Sequence, residues 1–432
     1  MINTSKKSVL LGLGAVFVLS GCDLLDVENP NALVQEDIER VSAANAAVNG
    51  AEATTARGVA SIYAPYSTVG DEIDWIGSRD AWNELSQGTP DNPGNEFTDG
   101  AFPNISQARW MSKEAVDLLT GHVADDPSNA DLQLGLARAN LYAGIAYSTI
   151  GQMFDDFALS DRREAAAPIG PAGMSSMFDD AINFFNAAIS AAGAAGDDAV
   201  ANQALAMRAQ AYHQRALWGL LNPAGSTPSN PWINDSNANA DAAAVLAAVE
   251  DSWQYRFTYS GASVANSLAG QVNERRELQF GPDYVNVDED SFITDHIFMD
   301  PIDGGVDARY LATVTEFKDN TNFSALTLTS ATEMRLILAE AALASGDLAT
   351  FTTEINTVRA GLGQFDGDMA AAMDLLKHER RANLFLQYKR LQDMYRFGEV
   401  SATWLAGSKA MTTPGTMLPI TLIEIRSNPN IS

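Results

Sequence analysis

The chain of 432 residues contains only one cysteine, at position 22. A single thiol cannot form an internal disulfide, so side-chain packing has to hold the fold together. The composition permits this, because 46% of the residues are hydrophobic and 19% are charged, which is a globular profile. We therefore expect a large, cysteine-independent core.

The cysteine stands at the end of an N-terminal export signal. Two lysines precede the apolar run 9–19, which is too short to span a bilayer as a mature helix. Residues 19–22, Leu-Ser-Gly-Cys, then resemble the lipobox that lipoprotein signal peptidase reads. We interpret residues 1–21 as a signal peptide and Cys22 as the lipid-bearing first mature residue. The alternative is an ordinary secreted protein with a stray cysteine.

Lipid attachment would fix the location without help from the fold. No later apolar stretch approaches the roughly 20 residues of a membrane span, whereas several acyl chains anchor a protein durably. The expected state is a soluble body that is tethered to a membrane by lipid on Cys22.

The charge balance is one-sided, with 27 basic residues against 55 acidic ones. Such a surface repels phosphate backbones and anionic lipid, so nucleic acid is not an expected partner.

Helical periodicity alternates with irregular segments along the chain. Apolar residues recur at intervals of three and four in the helical segments, while the others are rich in Gly, Pro, Asn and Asp. The predicted organisation is a leader at 22–36 and one domain at 37–432, with a helical scaffold at about 108–221 and 331–398 and loop-rich segments at about 61–107 and 222–330.

Two helical stretches have a distinctive pattern. Residues 331–363 break at Ser345-Gly346-Asp347 and read as a helix, a tight turn and a second helix, similar to a tetratricopeptide pair. Residues 373–397 predict one amphipathic helix with charged residues flanking a buried apolar face.

Three separated segments together resemble the SusD/RagB family of nutrient-uptake outer-membrane lipoproteins. They lie just after the lipobox cysteine, in the late helix and near the C-terminus. The matching residues are Cys22, Asp23, Leu25, Asp26, Val27, Asn29 and Pro30; Glu379, Arg380, Leu384, Arg390, Asp393, Arg396 and Gly398; and Leu418, Pro419, Ile420, Glu424, Ile425, Asn428 and Pro429.

The resemblance implies a mainly α fold, in which tetratricopeptide-like helix pairs form a scaffold and long irregular insertions form a ligand-binding face. It also implies a protein on the cell surface that caps a TonB-dependent (SusC-like) transporter and captures oligosaccharides or, in some members, peptides. We assign Glu379, Arg390 and Asp393 to the scaffold, because charges beside a buried helix face usually pin helices together.

Nothing in the sequence points to catalysis. The four histidines lie far apart, and HExxH, GxSxG and Walker-type motifs are absent. We predict no enzyme activity, no cofactor and no metal site. The acidic run 288–290 is interpreted as a solvated loop, since its spacing matches no calcium-binding loop.

Sugar binding requires aromatic rings for the C–H faces of a pyranose and polar partners for its hydroxyls. The loop 70–92 offers both outside any periodic helix, and it resembles in position the loop that carries ligand-stacking aromatics in the family. A second candidate lies in the insertion 222–330, and Trp110 and Trp218 are assigned to the core. The predicted ligand-binding residues are Asp71, Asp74, Trp75, Arg79, Trp82, Asn83, Trp232 and Tyr255.

For either tryptophan of loop 70–92, packing against the core is the competing interpretation. For the whole protein, the alternative is a tetratricopeptide-type lipoprotein that scaffolds envelope assembly and binds no small ligand.

Overall fold

A computed structural model describes residues 40–161 and 164–431. The chain divides into two units, Met1–Ala43 and Ala44–Ser432. In the first unit the described part is a short 3₁₀ turn, Val41–Ala43. The signal peptide, Cys22 and the leader lie outside the described residues, so lipidation stays a prediction.

The second unit is mainly helical, as predicted. Its helices are α1 (Ala44–Val69), α2 (Asp80–Ser86), α3 (Glu96–Asp125), α4 (Ala130–Met153), α5 (Ser176–Ala195), α6 (Asp198–Leu221), α7 (Ser236–Ala248), α8 (Ser267–Ala269), α9 (Ala308–Asp319), α10 (Ala331–Ser345), α11 (Leu348–Val358), α12 (Met369–Asn383), α13 (Arg390–Phe397), α14 (Lys409–Thr412) and α15 (Leu422–Ser427), with a 3₁₀ turn at Pro171–Gly173 and a π-helical turn at Gly270–Arg275.

Short strands form three separate antiparallel pairs, β1 with β3, β2 with β6, and β4 with β5. The strands are β1 (Ile73–Trp75), β2 (Gln254–Phe257), β3 (Leu278–Phe280), β4 (Val285–Val287), β5 (Ile293–His296) and β6 (Leu326–Ser330). None of the helices in the described ranges combines the length and hydrophobicity that a membrane span needs.

The long helices pack in a chain of neighbours. Helix α1 packs on α3, α3 on α4, α4 on α5, α5 on α6 and α6 on α7, and α10 joins α7 to α11 and α12. Several successive helices are joined by short turns, which makes them antiparallel hairpins. This is the kind of helix pairing that the family resemblance implies.

Small residues let these helices approach closely. A Cβ added to Gly58 of α1 would lie 2.9 Å from the Asn104 carbonyl oxygen of α3. A Cβ on Gly144 of α4 would lie 2.4 Å from the Phe185 ring of α5. The alanine- and glycine-rich pattern of the sequence is therefore used for interhelical contact.

The predicted break at residues 345–347 is confirmed. Gly346 ends α10 with a positive φ of 75°, a conformation that glycine adopts without a steric penalty. The Asp347 side chain then accepts a hydrogen bond from the Thr350 amide and caps α11.

The predicted single helix at 373–397 is instead two helices separated by a tight turn. Leu386 and Tyr388 have positive φ values of 57° and 53° in that turn. The Leu386 amide donates to Glu72 at 2.7 Å, and the Tyr388 hydroxyl donates to the Leu328 carbonyl at 2.8 Å. These long-range contacts stabilise a backbone that local propensity disfavours.

The segment 61–107 contains more helix than the sequence suggests. Helix α1 continues to Val69, and α3 begins at Glu96. Pro65 and Pro103 both lie inside these helices. Proline signals a break in an isolated helix, but here both helices are packed along much of their length, and packing outweighs the local penalty.

A network of ion pairs is buried where α6, α10, α12 and α13 meet. Glu340 of α10 is fully buried and accepts hydrogen bonds from Arg396 and from His213. Arg396 also donates to Asp393, which accepts two hydrogen bonds from Arg380 at 2.9 and 3.1 Å. We call these five residues the Glu340 cluster.

Burial alone would raise the pKa of Glu340, but the charges of Arg396 and His213 outweigh it and hold the pKa well below its ordinary value. The pKa of Asp393 is lowered in the same way by Arg380 and Arg396. Both carboxyls are therefore ionised at neutral pH inside the protein.

The assignment of Glu379, Arg390 and Asp393 to the scaffold agrees with their buried positions. Glu379 is fully buried and bonded to Arg309 and Arg359. Arg390 forms two 2.9 Å hydrogen bonds to Asp71, which lies two residues after the end of α1. Buried ion pairs of this kind join distant segments of the chain.

Replacing Glu340 by glutamine should lower the free energy of unfolding by about 3–5 kcal/mol, because Arg396 and Arg380 would lose a buried counter-charge. Urea denaturation of the purified protein measures this. Asp374→Asn is the matched control: Asp374 is 84% exposed in its pair with Lys377, so a change of at most about 1 kcal/mol is expected. Equal losses in both variants would contradict the assigned role.

Stability should also depend on acid pH through the same carboxyl. Because the folded pKa of Glu340 lies below the ordinary 4.5, its contribution is present above that pH and is lost as the pH falls toward the folded pKa. Between about pH 5 and pH 3, wild type should lose stability more steeply than Glu340→Gln. Burial raises the pKa of Glu72 to about 8, so Glu72→Gln should leave the slope below about pH 4 unchanged.

Candidate functional site

The loop after α1 is fixed by pairing with a distant strand. Ile73, Asp74 and Trp75 of β1 lie opposite Phe280, Gln279 and Leu278 of β3. Ile73 is buried while Asp74 and Trp75 are half-buried. The pairing brings loop 70–92 beside a strand of the insertion 222–330.

One carboxylate orders the next turn of that loop. Glu277 accepts hydrogen bonds from the Ser78 amide at 2.9 Å, the Ser78 hydroxyl at 3.1 Å and the Arg79 amide at 3.1 Å. A Cβ on Gly77 would lie 2.1 Å from the Glu277 carboxylate, so glycine is needed at this close approach.

Trp75 and Asp74 remain partly accessible on this loop. Asp74 accepts hydrogen bonds from Ser86 Oγ and, at 2.8 Å, from the Trp75 amide. Burial raises the pKa of Asp74 despite those two hydrogen bonds. The indole nitrogen of Trp75 is shielded from solvent and has no hydrogen-bond partner among the described residues.

Trp82 has a different environment from Trp75. It is 1% exposed and stacks on Phe97 at 3.7 Å between ring centroids. The Arg79 guanidinium lies 5.5 Å from the centroid of Phe97 and pairs with Glu96. In this arrangement Trp82 packs the core beneath the loop, while Arg79 stays exposed above it.

The other predicted residues are dispersed. Asp71 is 3% exposed and bound to Arg390, and Asn83 accepts a 3.1 Å hydrogen bond from Gln87 on the same helix turn. Trp232 packs 5.3 Å from Phe397, and Tyr255 is 8% exposed on β2. Asp74, Trp75, Arg79 and Asn83 therefore lie on one continuous segment from β1 to α2, whereas Trp232 and Tyr255 lie in other packing environments.

The hairpin β4–β5 supplies groups that the sequence prediction missed. Phe292 is 53% exposed at its tip, and the Arg276 guanidinium lies 3.8 Å from the centroid of its ring. Arg276 also donates to the Asp290 carbonyl at 2.8 Å. A phenylalanine beside an acidic turn, outside any periodic helix, is the sequence signal that marks this group.

The acidic run at the hairpin tip has a structural use. Asp288 Oδ1 accepts hydrogen bonds from the Asp290 amide at 3.0 Å and the Phe292 amide at 2.8 Å. The carboxylate thus closes the turn that presents Phe292.

We define the loop–hairpin surface as residues 74–83, 276–277 and 285–296. The β1–β3 pair and Glu277 connect its parts, and the Gln279 side chain reaches the Ser291 carbonyl at 3.5 Å. Asp71, Arg276 and Ser291, in or beside it, have positive φ values of 61°, 53° and 62°. Such strained backbone often accompanies ligand-binding sites.

A second concave region lies between α3 and α15, and we call it the α3–α15 pocket. It has a volume of about 590 Å³, with Phe102 and Ala158 buried in its lining. Trp110 lines it and is half-buried, so the prediction that Trp110 belongs to the core was wrong. Trp218 is 4% exposed and does belong to the core.

Among the described residues, one cluster has donor atoms close enough together to resemble a metal site. It consists of Asp300, Asp307 and His378. Arg309 Nη2 lies 2.7 Å from Asp307 and 3.2 Å from Asp300, and Arg359 lies 2.9 Å from Asp300. Burial opposes ionisation of Asp307, yet hydrogen bonds from His378 and Arg309 hold its pKa well below its ordinary value. Two guanidinium groups thus supply the positive charge here, and the residues do not fit a metal ion.

Replacing Glu277 by alanine should loosen the loop without unfolding the protein. The Ser78 and Arg79 amides would lose their acceptor, so their hydrogen exchange should accelerate about tenfold, the equivalent of ~1.4 kcal/mol. Exchange followed by mass spectrometry measures this. Glu274→Ala removes a nearby carboxylate that binds Asn322 and should leave those amides unchanged. Unaltered exchange in Glu277→Ala would contradict the role of Glu277.

Comparison with known proteins begins with a family model. Residues 305–431 match the model of the SusD family. A comparison with curated proteins finds no significant match.

Solved structures share the fold over most of the chain. A SusD superfamily protein from Bacteroides thetaiotaomicron aligns with a TM-score of 0.64 at 13% identity, covering 90% of this chain and 98% of the other. A SusD-like carbohydrate binding protein from Bacteroides vulgatus aligns with a TM-score of 0.55 at 13% identity, covering 83% of each chain.

Surface glycan-binding protein A from Bacteroides uniformis aligns with a TM-score of 0.54 at 15% identity, covering 90% of this chain and 99% of the other. At these identities the likeness concerns the fold. The match over residues 305–431 and the shared fold together confirm the resemblance to the SusD/RagB family that the sequence motifs indicate.

Proposed function

We propose that this protein binds an oligosaccharide at the loop–hairpin surface and delivers it to a TonB-dependent outer-membrane transporter. The observation that carries the proposal is the fold, which the chain shares over nine-tenths of its length with proteins that include a surface glycan-binding protein. A fold alone does not fix a ligand, so the surface has to supply the chemistry.

The loop–hairpin surface has the groups that sugar binding needs. Phe292 is 53% exposed at the hairpin tip, and Trp75 is half-buried on β1. Aromatic faces pack against the C–H face of a pyranose. Asp74, Arg79 and Asn83 offer carboxylate, guanidinium and amide groups for hydroxyls.

Side-chain hydrogen bonds hold the backbone of the loop–hairpin surface in place, and this supports ligand binding by a rigid surface. Glu277 fixes the turn at 77–79, and Asp288 fixes the hairpin tip. A site whose backbone is already ordered loses less conformational entropy when a ligand binds. This favours recognition of a flexible oligosaccharide by a preformed surface.

The location in the proposal follows from the N-terminal sequence. Lipid on Cys22 would anchor the protein in the outer membrane, with the body on the cell surface beside its transporter. The acidic balance, a net charge of −28, fits a soluble body that does not adhere to anionic lipid. The proposal involves binding and transfer of the ligand, with no chemical step.

Two other functions remain distinguishable by experiment. A peptide ligand would use the same surface, so a peptide panel belongs beside the glycan panel. The tetratricopeptide-like helix pairs favour, as a second candidate, a scaffold for envelope assembly. A TonB-dependent receptor gene next to this one supports uptake, whereas co-purification of assembly factors alone supports scaffolding.

Substitution of the exposed rings should weaken glycan binding. Phe292→Ala and Trp75→Ala are each expected to raise the dissociation constant about tenfold, equal to ~1.4 kcal/mol, through loss of ring stacking. Calorimetric titration of the purified full chain with neutral glucan, mannan and galactan oligosaccharides measures this.

Trp253→Ala is the control, because Trp253 is also half-buried but lies outside the loop–hairpin surface. Its affinity should match wild type. Binding that persists unchanged in both Phe292→Ala and Trp75→Ala would remove this surface as the site.

A further inference from the structure

Carboxylates neutralise most of the lysine and arginine side chains that the structure describes. On the loop–hairpin surface Arg79 pairs with Glu96, and Arg256 of β2 pairs with Glu316 of α9. This is expected, because the chain has 55 acidic residues and only 27 basic ones. A group of cations that lacks carboxylate partners in such a chain needs a separate explanation.

Arg276 and Lys318 form such a group at the edge of the loop–hairpin surface. Arg276 follows the π-helical turn, and its guanidinium bonds the Asp290 carbonyl and lies against the Phe292 ring. Lys318 lies in the last turn of α9. Both residues are exposed, and neither forms an ion pair with a carboxylate among the described residues.

The fold holds the two cation-bearing elements together. The side-chain amide of Asn273, in the π-helical turn, donates hydrogen bonds to the Phe317 and Thr321 carbonyls, each at 2.8 Å. These carbonyls lie on either side of Lys318 in the chain, and Arg276 is three residues after Asn273. Contacts within the protein therefore keep the backbones of the two cations close to each other.

The two positive charges repel each other in this position. Burial and the charge of Arg276 both lower the pKa of Lys318. Burial and the charge of Lys318 in turn lower the pKa of His296 on β5. A carboxylate close to either group would oppose these changes. The positive potential thus extends from Arg276 to β5 without a counter-charge in the described part of the chain.

A bound anion would remove this repulsion. Guanidinium and ammonium groups form strong, charge-assisted hydrogen bonds with carboxylate and sulfate oxygens. The net charge of −28 disfavours anions over the surface as a whole, so the attraction is local. Arg276 lies 3.8 Å from the centroid of Phe292, which is 53% exposed. A sugar that packs on this ring would therefore lie beside the cations.

We propose that Arg276 and Lys318 form an anion subsite of the loop–hairpin surface, which binds the carboxylate or sulfate group of an acidic oligosaccharide. The inference rests on the proposed function for the sugar and adds the ligand class. Acidic oligosaccharides should therefore bind more tightly than neutral ones with the same backbone.

Two matched pairs of ligands test this on the purified full chain. One pair is an oligogalacturonate and its methyl ester, and the other is a sulfated galactan oligosaccharide and its desulfated form. Calorimetric titration at about 0.1 M salt, where the screening length is about 10 Å, gives the dissociation constants. At least one acidic ligand should bind about tenfold more tightly than its neutral counterpart. The pair that shows the difference identifies the anion as carboxylate or sulfate.

Substitutions locate the preference on the surface. Lys318→Gln and Arg276→Gln each remove one charge, and each should reduce the preference for the acidic ligand by about threefold or more. Lys318→Arg keeps the charge and should retain the preference. Lys113→Gln is the matched control, because it removes the same charge from α3, where Lys113 pairs with Asp117.

Different results separate this inference from the proposed function. Equal affinities within both pairs would overturn the anion subsite alone, as would a preference that persists in both Lys318→Gln and Arg276→Gln. An equal reduction in Lys113→Gln would also overturn it, since net charge rather than position would then decide the affinity. If neutral glucans bind and all four test ligands fail, only the subsite is lost. If no oligosaccharide binds at all, the proposed function fails with it.

Discussion

The buried pairing of Glu340 with Arg396 is the interaction on which the scaffold depends. Both side chains are fully buried, so neither can be solvated if its partner is lost. A buried ion pair adds little net stability compared with apolar packing, but it penalises every arrangement that separates the charges. The Glu340 cluster therefore selects one way of docking α10, α12 and α13 on α6 and allows few alternatives.

Buried ion pairs and hydrogen bonds also connect the scaffold to the candidate site. Arg390 of α13 binds Asp71, which lies two residues after the end of α1, and Glu72 accepts hydrogen bonds from Tyr63 and the Leu386 amide. The start of the loop is therefore held by residues more than 300 positions later in the chain. β1 begins directly after Asp71 and Glu72 and pairs with β3. The orientation of Trp75 on β1 therefore depends on the buried contacts of these two carboxyl groups.

The fold could be anticipated from the sequence to a large extent, while the site could be anticipated only in part. Periodicity and the glycine at position 346 predicted the helices and the turn between α10 and α11. The break at 384–389 escaped prediction, since hydrogen bonds from distant residues stabilise it. Among the aromatic residues, Trp75 and Trp82 look alike in sequence, yet Trp82 stacks on Phe97 inside the protein.

The sequence by itself determined the helical class and the family motifs, and it predicts the export signal, because these are local patterns of residue type and spacing. Only the tertiary structure decided which aromatic rings face solvent, joined Phe292 and Arg276 to the loop after α1, and placed Trp110 beside α15. Those arrangements join residues far apart in the chain. Burial and proximity depend on the packing of all the helices together, and no window of sequence contains that information.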